Sequence, residues 1–76
     1  MTQQTYRVES YTVGDDEQTP WVYTHNAGLR DARAIATYKA RTIEKFTQGG
    51  RYERKGLDLI EVHFPQGLRV VRVVPN

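Results

Sequence analysis

The spacing of hydrophobic and polar residues changes period twice along this chain, and the changes mark out its elements. Thr5 to Val13 (TYRVESYTV) is dense in β-branched and aromatic residues, the composition of a strand. Its alternation slips: Tyr6 and Val8 share one face while Tyr11 and Val13 share the other, so a bulge near Glu9-Ser10 is expected. A polar, acidic loop runs from Gly14 to Pro20. Trp21 to Thr24 (WVYT) then reads as a second short strand, antiparallel to the first.

The period next becomes helical. Leu29, Ala32, Ile35, Ala36, Ala40, Ile43 and Phe46 fall within one broad stripe at about 100° per residue, predicting a helix from Leu29 to about Phe46. Asn26 or a neighbouring polar residue is the expected cap. Ala32, Ala36 and Ala40 run along the stripe, and small residues there let a helix sit close on a sheet. Gly49-Gly50 terminates the helix, because glycine enters the left-handed region at little steric cost.

Arg51 to Gly56 (RYERKG) reads as a charged connection. Leu57 to Phe64 (LDLIEVHF) is a strand with Ile60, Val62 and Phe64 on one face and Leu59, Glu61 and His63 on the other. Pro65-Gln66-Gly67 has the chemistry of a three-residue hairpin loop with Gly67 at positive φ. That loop sets Phe64 opposite Leu68, Val62 opposite Val70 and Ile60 opposite Arg72. Leu68 to Val74 (LRVVRVV) forms the last strand and Pro75 stops it. The expected fold is α+β: a small antiparallel sheet of about four strands packed on one amphipathic helix, in the order β-β-α-β-β. It forms a single domain over residues 1–76, with a short polar extension at 1–4.

Composition adds a constraint on stability. Seventy-six residues bury only about 60% of the unfolded surface, and there is no cysteine to staple the fold or ligate a metal. The fold must rest on one helix packed on one sheet, which makes a homodimer a reasonable expectation. Hydrophobic residues at 38% and charged ones at 26% are ordinary for a folded chain rather than a disordered one. Met1-Thr-Gln-Gln shows no signal-peptide pattern, and the apolar runs are too short to cross a membrane, so a cytoplasmic protein without membrane contact is expected. A formal charge of +2 is only mildly basic, so the placement of the charges matters more than their sum.

Residues with catalytic potential are sparse. Ser10 is the single serine, and Glu61 and His63 share a strand face in a pattern that is commonest on solvated sheets. A catalytic role for that pair requires a pocket holding both with shifted pKa values. Gly49-Gly50 follows the helix, whereas phosphate cradles precede one. Asp15-Asp16-Glu17 lacks the spaced ligands and glycine of a calcium loop. No catalytic, cofactor or metal residue is therefore assigned, and an enzyme is not expected.

The outer side of the helix carries more information. Arg30, Arg33, Arg41 and Lys45 point within about 60° of one direction, opposite the apolar stripe, with Thr37 and Gln48 among them. Glu44 sits at the edge, in reach of Arg41. Arg51, Arg54 and Lys55 follow in the connection and extend the basic surface. Tyr6, Tyr11, Trp21 and Tyr23 gather in the first two strands, where Tyr11 and Tyr23 are candidates for a contact surface and Trp21 for the core. These cations and the two tyrosines are the candidate partner-binding residues. An unidentified protein is the expected partner, with nucleic acid the alternative.

In size, in the strand carrying Trp21-Val22-Tyr23 and in the alanine-rich helix Asp31-Ala-Arg-Ala-Ile-Ala36, the layout resembles small accessory proteins encoded by bacteriophages. Some of those inhibit host functions by binding a host protein. The resemblance implies a non-catalytic, inhibitory binding module. It is one of arrangement, and it carries no functional residues across.

Overall fold

The computed structural model describes residues 3–76 and contains one helix and one five-stranded sheet. In chain order these are β1 (Tyr6–Thr12), β2 (Trp21–Ala27), α1 (Leu29–Phe46), β3 (Arg51–Arg54), β4 (Leu59–Phe64) and β5 (Gly67–Pro75). Every pairing is antiparallel and the spatial order is β2-β1-β5-β4-β3. The first and last strands of the chain thus meet at the centre, Tyr6 opposite Pro75 and Thr12 opposite Arg69.

The helix lies across one face. Val8 of β1, Ile60 and Val62 of β4, and Val71 and Val73 of β5 point up into Ala32, Ala36 and Ala40, and all eight side chains are buried. Burying each of the larger ones contributes about 1.5–3 kcal/mol, an upper figure because the unfolded chain is itself partly compact. Tyr6, Tyr23, Leu29, Ile35, Ile43 and Tyr52 close the margins. Alanine on the contact line is what permits this: a larger side chain would lift the helix off the valines.

The sheet differs from the expected four strands by β3. Arg51–Arg54, read as a connection, pairs along β4 from Arg51↔His63 to Arg54↔Ile60. A four-residue edge strand needs only one inward apolar side chain, and Tyr52 supplies it. β2 is longer than expected and runs on through Asn26, so Asn26 does not cap the helix. Gly28 stands at that position without a side-chain cap hydrogen bond. The proposed bulge in β1 is absent, since β1 pairs with β5 without a break. The irregularities lie opposite, where β2 carries the extra residues between Val22 and Ala27. β1 therefore alternates cleanly and sends Tyr11 to the face away from the helix.

The last hairpin is the second correction. Phe64 pairs with Gly67, Val62 with Arg69 and Ile60 with Val71, one residue out of the expected register. The loop is the two-residue turn Pro65-Gln66, and positive φ occurs at Gly14 and Gly49 rather than at Gly67. A slip of one residue turns every side chain of a strand over. In the expected register Arg72 would face the helix. In the observed one Val71 and Val73 do, and Arg72 meets Glu9 on the far side. Gly67 matters for space instead, since a Cβ there would come within 3.3 Å of the Phe64 ring.

The polar residues of the sheet are satisfied. Arg69 donates to Thr12 Oγ1 at 2.9 Å and Ser10 Oγ at 3.1 Å, and Ser10 donates in turn to Tyr23 Oη at 2.9 Å. On the outer face Glu9, only 2% exposed, accepts from Arg72 at 2.7 Å and Arg7 at 3.1 Å. Burial pushes the Glu9 carboxyl up, but hydrogen bonds from Arg72 and Arg7 outweigh it and hold the group below its ordinary range. Among the described residues every buried side-chain polar atom has a partner. No helix among them is long and apolar enough to cross a membrane. Of the extension at 1–4, Met1 and Thr2 lie outside the described residues, while Gln4 Nε2 bonds the Asn76 carbonyl at 3.0 Å.

Candidate functional site

The basic surface expected from sequence is present as a set of positions but is largely spent on internal contacts. Arg33 pairs with Asp58 at 2.8 Å. Arg54 bonds Thr37 Oγ1 at 2.5 Å and the carbonyls of Gly56 and Leu57. Lys55 lies 2.6 Å from Glu53, and that contact lowers the Glu53 pKa and raises that of Lys55. Arg30 and Arg51 are exposed at opposite ends of the row. The aromatics of the first two strands separate as well, and Trp21, expected in the core, is 64% exposed at the start of edge strand β2. Tyr11 lies on the outer sheet face with Arg72 over its ring at 5.0 Å, and Tyr23 packs against the core on the helix side.

One part of the helix collects exposed apolar and cationic groups together. Tyr38 is 68% exposed and Phe46 is 78% exposed, and with Arg41, Thr42 and Lys45 they line a shallow hollow on the outer side of α1. The Thr42 hydroxyl donates to the Tyr38 carbonyl at 2.9 Å, so the floor of the hollow makes no polar demand on a visitor. Phe46 was expected in the buried stripe. It stands about 80° round the helix from the line of alanines, on the final residue before the chain turns at Thr47, where the sheet cannot cover it.

Cations frame these rings. Lys39 lies over Tyr38 at 5.8 Å and over Tyr23 at 5.1 Å, and Lys45 lies over Phe46 at 5.7 Å. Arg41 stacks on Tyr52 at 3.6 Å and bonds Glu44 at 3.1 Å. Glu44 is the carboxylate of this region, and both its oxygens are engaged, the second by the Tyr52 amide at 2.8 Å. That amide first, and Arg41 after it, hold the Glu44 carboxyl below its ordinary range.

Compared with protein-family models, curated proteins and solved structures, the chain matches none.

A second cluster lies on the opposite face of the sheet. Glu53, Glu61 and His63 bring their ligand atoms within 4.8 Å of one another, with His63 Nε2 3.0 Å from Glu61. Glu61 and His63 share a face, as their alternation predicted. Glu53 joins them through β3, which sequence reasoning missed. The hollow beside His63 is built from Gly49, Arg51, Phe64 and Pro65 and does not include Glu61. Lys55 sits among the carboxylates, 2.6 Å from Glu53 and 3.9 Å from Glu61, so their charge is already met from within the chain.

Tyr38 and Phe46 are the residues that sequence reasoning passed over as a surface. The available signal was the azimuth of Tyr38, which falls between Arg41 and Thr42 on the side opposite the alanines.

Proposed function

We propose that the protein is a non-catalytic binding module that acts through protein–protein contacts, with the outer face of α1 as its contact surface. One observation carries this reading: two large aromatic side chains stand exposed eight residues apart on one helix, Tyr38 and Phe46, with arginine and lysine beside them. Tyrosine, arginine and aromatic residues dominate the energetics of protein interfaces, and exposing such a patch without a partner is unfavourable. A host-inhibitory role of the kind found in phage accessory proteins is the finer reading, supported by the resemblance of layout alone.

The nucleic-acid alternative has less support. Arg33, Arg54 and Lys55 already hold partners within the chain, which leaves a short and interrupted run of cations for a phosphate backbone. The test is paired capture from a host lysate with the wild-type chain and with the double variant Tyr38→Ser and Phe46→Ser. A stoichiometric protein held by the first and lost by the second supports the reading. Recovery of nucleic acid without such a protein rejects it.

A further inference from the structure

The charge around the hollow identifies what kind of protein surface fits it. Lys39 lies on one flank of the exposed rings, where it also reaches Tyr23 of β2, and Arg41 lies on the other, stacked on Tyr52 of β3. Lys45 stands between them, over Phe46. Glu44 answers Arg41 alone, and its second oxygen is held by a backbone amide. Arg41 is thus neutralised within the chain, whereas among the described residues neither Lys39 nor Lys45 has a carboxylate partner, so the patch is apolar at its centre and positive at those two lysines.

We propose that the outer face of α1 receives an acidic amphipathic segment of another protein, seating one apolar side chain between Tyr38 and Phe46 and setting carboxylates on Lys39 and Lys45. This rests on the protein-contact reading above and adds the chemistry of the partner. The two rings are about 12 Å apart along the axis, at about 1.5 Å per residue. That gap takes one leucine or phenylalanine side chain, with acidic residues about a turn before and after it on a partner helix. Thr42 at the floor spends its hydroxyl within α1, so the anchor meets no unsatisfied polar group.

Charge complementarity also argues against the other occupants. A second copy docked through the same face about a twofold axis would oppose Lys39, Arg41 and Lys45 to the same cations. A nucleic acid would need a run of free cations for its phosphates. Here Arg41 is paired with Glu44, which leaves Lys39 and Lys45 beside the exposed rings.

The experiment is an amide-resolved NMR titration of the full chain with three synthetic helical peptides and a ten-residue oligothymidylate. The peptides share one central leucine and differ in carrying four glutamates, four glutamines or four lysines around it. The proposal predicts that the glutamate peptide shifts amides between Tyr38 and Phe46 and binds about tenfold tighter than the glutamine peptide, an advantage lost at high salt. Lys45→Glu, which touches no core residue, should remove that advantage with the rest of the spectrum unchanged. Equal binding of glutamate and glutamine peptides at this face overturns the acidic inference and leaves the protein-contact reading standing. No response from any peptide overturns both. Shifts produced by the oligothymidylate alone overturn both in favour of nucleic acid.

Discussion

Replacing Glu9 with glutamine tests whether the uncovered face of the sheet is held by its charged residues. The Glu9 side chain is buried on a face with no helix above it, and Arg7 and Arg72 cover it. Its contacts are short, 2.6 Å and 2.7 Å to Arg72 and 3.1 Å to Arg7. Breaking a fully buried pair costs about 3–5 kcal/mol, because one charge is left stranded. Here the arginines are about a third exposed and can turn to water, so the cost of Glu9→Gln should fall to about 2 kcal/mol. For a domain of this size that corresponds to a drop in Tm of about 8–16 °C at neutral pH. Thermal unfolding followed by circular dichroism between pH 3 and pH 7 provides the assay. The Glu9 pKa is lowered in the folded state, so its contribution is present above the ordinary value of 4.5 and is lost as pH falls through the folded value. Wild type and variant should therefore converge in acid, with the residual acid sensitivity of the variant coming from Glu44 and Glu53, which are also lowered. A variant with unchanged Tm at pH 7, or a gap that persists undiminished at pH 3, would refute this account of the outer face.

Three further predictions concern the packing. Ile60 is 1% exposed under the helix and Leu59 beside it is 38% exposed on the other face, so Ile60→Ala should cost about 2–5 kcal/mol in chemical denaturation and Leu59→Ala under about 1 kcal/mol. Gly49 has φ +77 and an added Cβ would lie 3.0 Å from Pro65 Cδ, whereas Gly14 has φ +83 in open space. Gly14→Ala should cost about 1 kcal/mol and Gly49→Ala about 2 kcal/mol or more. Ala36→Leu, on the contact line of the helix, should cost about 1–3 kcal/mol by overpacking, read from the same denaturation curves.

Much of the fold is legible in the chain, and the parts that are not share a cause. The helix was readable from Leu29 to Phe46 because its apolar period is sustained over five turns and ends at a glycine pair. β3 was not, because an edge strand four residues long is charged on purpose and shows only Tyr52 as a sign of burial. The register of β5 was misread because LRVVRVV places an arginine on either face. Only the partners decide between the two: Ser10 and Thr12 accept Arg69 on one side, and Glu9 accepts Arg72 on the other. The basic row of the helix could be seen as a direction. Its neutralisation could be seen at Arg41, three residues from Glu44, but not at Arg33, whose partner Asp58 lies in the loop after β3, nor at Lys55, whose partner Glu53 lies in β3. The outward azimuth of Tyr38 was legible, but the exposure of Phe46 emerges only when the end of the sheet beneath the helix is known.

The central claim, that the outer face of α1 meets another protein, is tested most directly by a photo-crosslinking residue at Thr42, the floor of the hollow, compared with the same residue at Leu59 on the outer sheet face. Irradiation in cells producing the protein should give a discrete protein adduct from position 42 and none from position 59, with the first abolished by Lys45→Glu. Adducts of nucleic acid at position 42, or a protein adduct from position 59 alone, would contradict the account.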